Sequence, residues 1–271
     1  MSFAPGHISL TFSIKDNQDP FKMGSTGLGI ILPQGVYCSV VDEGSETKEN
    51  IVFEGNKEIE DPVVLRALEL LGHGGRGLSV YLRRDLPIGS GFGISGASAL
   101  AACVELDKDI ERCKLAAHQA EIEYKTGLGD VVAISAALEG GNFPIIVERK
   151  SPGVNGEVTK YPVNSKLAIC ISGLGRNTSD ILSSPEWTEI INTVSSNLVI
   201  SDYDIRSVIK AGRTFTEKSG LIDENLVRVL DSIPLGAVSS IAHLGTSVVA
   251  ISDNIEELSL CLEEYGEVRI Y

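Results

Sequence analysis

The residues with the clearest chemical purpose run from Pro87 to Ala101, Pro-Ile-Gly-Ser-Gly-Phe-Gly-Ile-Ser-Gly-Ala-Ser-Ala-Leu-Ala. Glycines at 89, 91, 93 and 96 stand between a β-patterned stretch and a run of small residues that reads as a helix. A backbone without Cβ atoms can approach a ligand to hydrogen-bond distance. The first turn of a following helix then aims its unpaired N–H groups, and the positive end of its dipole, at the same point. The stretch Gly89, Ser90, Gly91, Gly93, Ile94, Ser95, Gly96 and Ala97 therefore reads as a phosphate cradle, the alternative being a tight strand-to-helix turn with close packing. No G-x-x-x-x-G-K-[ST] occurs in the chain. Gly91 to Gly96 matches G-x-G-x-x-G in form, yet a dinucleotide fold needs a second parallel strand ending in an acid after the helix. The chain continues instead with ELDKDIERCKLAAHQAEIEY, which has helical character throughout.

Several titratable side chains could serve such a loop. Asp130 opens a helix, where an acid caps well. Glu121 beside Glu123 is either a solvated helix residue or a ligand. Ser95 and Ser98, one turn apart, offer hydroxyls to a metal or pack as small residues. His7 either bridges to a substrate or steadies the turn of the first strand. His118, within AAHQA, reads as packed and hydrogen bonded, and Lys22 as a surface lysine. Asp202 and Asp204 have metal-like spacing that a helix start explains as well. Gly173 to Ser179 reads either as part of a substrate or nucleotide wall or as a turn capped by Thr178 or Ser179.

The elements that must position these groups follow from periodicity. Strands are expected at 7–14, 28–32, 36–42, 50–54 and 77–84, bounded by Gly, Pro, Asp or Asn. A helix fits 62–72, with Asp61 as N-cap and Pro62 at its first position. Helices are expected at 97–106, 109–125 and 130–139, the last stopping at Gly140-Gly141, then an apolar strand at 143–148. The polar, Pro- and Gly-containing stretch 149–165 reads as a domain junction, dividing 1–155 from 156–271. The second part reads as a strand at 166–172, helices near 178–199, 204–219 and 223–233, a strand at 246–252 and a helix at 254–265. Strands first, then helices mixed with strands, predict an α+β fold of two lobes.

Composition narrows the partners. The 271 residues are 43% apolar and 22% charged, enough to bury a core. A net charge of −14 argues against nucleic acid or an anionic membrane as the main partner, and 6% aromatics argue against base stacking. Five scattered cysteines without C-x-x-C read as reduced thiols. MSFAPGHISL has neither a basic nor an apolar leader region, and no apolar run approaches the roughly 18 residues of a membrane span. A cytoplasmic protein is expected.

The glycine loop resembles the central motif of the GHMP kinase superfamily, commonly P-x-G-x-G-L-G-S-S-A-A. Phe92 stands for the usual Leu, and Ile94 and Gly96 for a Ser and an Ala. Ala4-Pro5-Gly6-His7-Ile8-Ser9-Leu10 is similar to its first motif, with His7 where many members carry Lys. Ala242 to Ser247 is what remains of the third. Further segments resemble the archaeal pantoate kinases: Asp19-Pro20 with Gly24-Ser25-Thr26-Gly27-Leu28-Gly29, Ala120-Glu121 with Thr126 to Val132, and Arg149-Lys-Ser-Pro152-Gly153.

The resemblance implies a two-lobed kinase that uses Mg-ATP to phosphorylate the terminal hydroxyl of pantoate in coenzyme A synthesis. It implies Ser95 and Glu121 as magnesium ligands and Asp130 as the acid that accepts or orients the acceptor's proton. Substrate contacts are expected from His7 and Arg149, the latter through the pantoate carboxylate or, in the alternative, as a solvated residue. A homodimer is the family's habit. Two other functions stay open: a GHMP kinase of another small hydroxy acid, or a nucleotide-binding regulatory module without turnover.

Overall fold

A computed structural model describes residues 1–42, 49–138, 142–171 and 178–271. Nothing anchors the fold more than β3 (Gly24–Asp42), a 19-residue strand. β1 (Ser2–Ser9) lies antiparallel along one of its edges, pairing Ser9 with Gly29 and Ser2 with Cys38. The other edge takes β7 (Ile145–Arg149) beside Gly27–Ile31 and β6 (Leu78–Arg84) beside Val36–Asp42. The 28–32 and 36–42 strands read from sequence are thus one strand. Pro33-Gln34-Gly35 breaks the alternation as a turn would, but the β1 register shifts between Pro5 and His7 instead, a bulge that carries the strand through.

The sheet continues through β4 (Ile51–Glu54), parallel to β6, and β5 (Lys57–Ile59), with β2 (Ser13–Lys15) paired to the start of β3. β8 (Val158–Pro162) pairs with β7, so the stretch 149–165 contributes a strand to this sheet. Four helices pack on it: α1 (Pro62–Leu70), α2 (Ile94–Leu106), α3 (Ile110–Tyr124) and α4 (Asp130–Leu138). Asp61 caps α1 by accepting from the Val64 amide, as the sequence predicts. Among them α2 sits innermost. It touches β1, β3 and the other three helices, which its Ala, Ser and Gly residues make room for.

In the second half a four-stranded antiparallel sheet runs β10 (Val238–Ile241), β11 (Val248–Ile251), β9 (Ala168–Ile171), β12 (Glu267–Ile270). Helices α7 (Ile205–Ser219), α8 (Glu224–Ser232) and α9 (Ile255–Glu263) cover it, while α5 (Thr178–Leu182) and α6 (Pro185–Ser196) lie on the β2 side. The single helix expected at 178–199 is two, because Ser184 and Pro185 start a new one. Strands β10 (VSSI) and β12 (EVRI) escape the sequence reading because polar residues interrupt them, whereas the wholly apolar β9 and β11, of the same length, do not. Gly140-Gly141 and residues 172–177 lie outside the described residues. One apolar core joins the halves, containing Ala4, Ile8 and Leu100 together with Leu167, Ile209 and Val249. No described helix is long and apolar enough to cross a membrane, and all five cysteines are free thiols.

Candidate active site

The glycine loop ends in α2 three residues earlier than its sequence suggests. Gly93, at φ +60°, is the N-cap and makes no side-chain cap bond. A side chain that capped the helix would occupy the first-turn N–H groups of Ile94, Ser95 and Gly96; here they are left for a ligand. The amide of His7 holds the loop to β1 by donating to the Phe92 carbonyl at 2.8 Å. From the other half comes the segment Ala242–Ser247. A Cβ on Gly91 would stand 2.6 Å from the Ala242 carbonyl, and one on Gly245 would collide with the Gly91 backbone. The short remnant of the third motif is therefore the surface against which the loop is pressed.

Beside the loop opens a cleft of about 290 Å³, walled by Gly89, Gly91, Phe92, Gly93, Ile94 and Ser95. The end of α3 contributes Glu121, Tyr124 and Lys125, the start of α4 contributes Asp130, and the second half supplies Thr178, Ser179, His243 and Leu244. Ser90, Gly96 and Ala97, expected among the phosphate-binding residues, lie outside that wall. Ser90 and Ala97 are buried, and Gly96, whose N–H lies in the first turn of α2, also leaves room for Glu121. A Cβ on Gly96 would sit 2.6 Å from Glu121 Oε2, and one on Gly127 2.5 Å from the same oxygen.

Glu121 is 1% exposed. It makes no ion pair with any described residue; its company is the Thr126 hydroxyl, donating at 3.2 Å, and that of Ser95. Burial, and then the charge of Asp130, push its carboxyl well above the ordinary range. A carboxyl sealed in this way, ringed by hydroxyls and glycines, keeps its proton unless a cation is placed beside it. Hard oxygen donors of this kind suit magnesium. Among the described residues no group of three or more His, Cys, Asp or Glu is gathered, so further ligands would have to be nucleotide oxygens or water. Ser98 does not compete with Ser95. It is fully buried, donates to the Ile94 carbonyl at 2.8 Å and accepts from Arg84.

Asp130 is the first residue of α4 rather than its cap, since Ala133 donates to the carbonyl of Gly129. Its Oδ1 lies 2.6 Å from His7 Nδ1, and a Cβ on Gly93 would come within 3.0 Å of the same oxygen. The acid and the phosphate loop thus share one corner of the cleft. Burial alone would raise Asp130. The hydrogen bond from His7 and the charges of His7 and Arg149 outweigh it and hold the carboxyl below its usual range, so it is ionised at neutral pH. Burial lowers His7 and Arg149 as well.

Arg149 stands behind His7, not on the cleft wall. It is 2% exposed, donates from Nη1 to His7 Nε2 at 3.1 Å, and its Nε has no hydrogen-bond partner. Among the described residues it makes no ion pair. His118 is packed and bonded to the Met23 carbonyl at 3.0 Å, Lys22 is exposed beside Asp19, and Asp204 caps α7, all as the sequence suggests. Sequence reasoning passed over Lys125. It closes α3 in the left-handed region at φ +55° and reaches Ser183 Oγ, 3.1 Å away. A lysine where glycine is the easy choice, directly before Thr126-Gly127, is the signal that would have found it.

Comparison with known proteins agrees with this geometry. Residues 62–140 match the GHMP kinase N-terminal domain. The fold is that of a solved phosphotransferase related to the CoA biosynthesis pathway, with 24% identity, a TM-score of 0.71, and coverage of 99% of this chain and 94% of that one. A mevalonate kinase crystal structure shares it at 14% identity and a TM-score of 0.65, over 100% and 97% of the two chains. Among curated proteins, a pantoate kinase of Methanospirillum hungatei is 31% identical over 98% of this chain and 91% of its own. One from Methanocaldococcus jannaschii is 29% identical over 92% of each. The chain belongs to the GHMP kinases, in the family of the pantoate kinases.

Proposed function

We propose that this protein transfers the γ-phosphoryl group of ATP to the terminal hydroxyl of pantoate, giving 4-phosphopantoate for coenzyme A synthesis. The observation that carries the reading is Asp130, a carboxylate kept ionised at the edge of an anion-binding helix start, in a chain similar to a pantoate kinase over 98% of its length. Phosphoryl transfer asks a protein mainly for positioning and charge stabilisation. The N–H groups of the α2 first turn would hold the phosphates, and Asp130 would orient the hydroxyl and take its proton. Ser95 and Glu121 would hold magnesium, which supplies positive charge against the phosphate oxygens.

Arg149 supplies the end that recognises pantoate. Its buried guanidinium feels the charge of Asp130 but makes no ion pair among the described residues, so the cost of its burial is only partly offset. Its Nε has no hydrogen-bond partner, and Gly129 leaves the room that the Arg149 and Ser25 side chains fill. A substrate carboxylate reaching that Nε would complete its hydrogen bonding. His7, bonded at both ring nitrogens, lies between this point and Asp130. The division into a nucleotide-binding part, 1–155, and a C-terminal part, 156–271, belongs to the same proposal, with β8 returning to the first sheet. So do a cytoplasmic location and a homodimer.

The test is ATP-dependent ADP release with pantoate, mevalonate and homoserine offered singly. A kcat/KM for pantoate at least about 100-fold above the others is expected; equal use of all three overturns the acceptor assignment, and no stimulation by any overturns the kinase.

A further inference from the structure

Of the four histidines, His7 has both ring nitrogens committed to charged side chains. Its ring is 0% exposed. A guanidinium can only donate hydrogen bonds, so the Arg149 contact obliges Nε2 to carry a lone pair. The proton of the neutral ring is then on Nδ1, 2.6 Å from Asp130 Oδ1. Both residues stand in space that glycines leave open. A Cβ on Gly29 would fall on His7 Nε2, and one on Gly129 would come within 2.6 Å of Arg149 Nε. Neither glycine has positive φ, so what they supply is room rather than an unusual backbone. Five residues on β1, β3, β7 and the α4 start, His7, Gly29, Arg149, Gly129 and Asp130, are thus matched to one chain of contacts.

We infer that Arg149 fixes the His7 tautomer and that His7, a positioning residue rather than a substrate ligand, holds one carboxylate oxygen of Asp130 so that the other faces the acceptor hydroxyl. This deepens the kinase reading and rests on it. A base whose orientation is set by a third group is a recurring device of nucleophile activation. Here the oriented group is the carboxylate itself. With Oδ1 engaged by His7, the acceptor's proton goes to Oδ2. Rotation of the carboxylate about its own axis would break the His7 bond and leave a buried donor unpaired.

Two side chains separate positioning from binding. Asparagine places an amide nitrogen near the depth of Nδ1, and glutamine near that of Nε2. His7→Asn should keep kcat within about 5-fold, whereas His7→Gln should lower it at least about 30-fold, with both KM values moving less than about 3-fold. Equal losses in the two variants, or a raised pantoate KM at unchanged kcat, would overturn the inference. The wild-type protein supplies a readout free of turnover and of folding defects in variants. In the ring-nitrogen NMR spectrum of ¹⁵N-labelled protein at pH 7.5, with the His7 signals identified by their loss in His7→Asn, the proton should reside on Nδ1. A proton on Nε2, or on both nitrogens, overturns it. An Nδ1-protonated ring in a protein that leaves pantoate unphosphorylated would sink the substrate reading and spare the chain of contacts.

Discussion

Asp130, Glu121 and Arg149 are three ionisable groups whose charged forms burial disfavours, each compensated differently. Asp130 has His7 and the charge of Arg149; Glu121 and Arg149 make no ion pair among the described residues, and the proposed metal and substrate contacts rest on that. Two outcomes are expected at this scale. Arg149→Met should cost roughly 2–4 kcal/mol in kcat/KM for pantoate, through loss of a charge-assisted pair, with the KM for ATP unmoved. Steady-state kinetics with each substrate varied will show it, and an unchanged pantoate kcat/KM removes Arg149 from recognition. Glu121 affects stability as well. Its folded carboxyl binds its proton more tightly than the unfolded one, so metal-free stability falls as pH rises above about 4.5, the ordinary value. Thermal melts of Glu121→Gln should therefore gain on wild type steadily as pH rises from 5 to 8. A constant gap across that range contradicts the assignment. The types of these residues were legible in the sequence. Their burial was not, because Gly96, Gly127 and Gly129 make room for them from distant elements.

The elements bring the groups together through close backbone contacts. The strand–loop–helix of β6, the glycine loop and α2 was readable because its glycines and small residues announce a backbone approach. That α2 starts at Ile94 rather than 97 was not, since its N-cap Gly93 has no side chain and Ser95, a capping residue type, lies inside the helix. The contact between Gly245 and the Gly91 backbone was hidden too, joining segments about 150 residues apart whose pairing no local pattern encodes. It yields the element-scale prediction. Gly245→Ala should push the loop out of place and raise the KM for ATP at least about 10-fold, because its Cβ meets backbone that cannot swing aside. Gly74→Ala, whose Cβ would meet the flexible Glu69 side chain at 3.1 Å, is the control and should leave ATP kinetics alone. If both variants bind ATP as wild type does, the Ala242–Ser247 segment has no part in shaping the loop.

At the scale of the molecule, the two halves meet over a shared core and frame the cleft between the glycine loop and Thr178, Ser179, His243 and Leu244. The Pro- and Gly-containing stretch 149–165 has the composition of a linker but is tied into the sheet by β8, so the halves should not melt separately. Calorimetry is expected to show one transition with equal calorimetric and van 't Hoff enthalpies; two resolved transitions would contradict a common core. The α+β class, most helices and the apolar, fully buried strands β9 and β11 were legible from pattern, whereas β10 and β12, more polar or more exposed, were not. The most direct test of the whole account is ³¹P NMR of the protein with Mg-ATP and pantoate, run beside Asp130→Asn. One new phosphomonoester should form in step with ADP, and Asp130→Asn should slow it by about 10²–10⁴-fold while still binding ATP. ADP appearing with inorganic phosphate whether or not pantoate is present, or an Asp130→Asn protein that makes the ester at the wild-type rate, would contradict it.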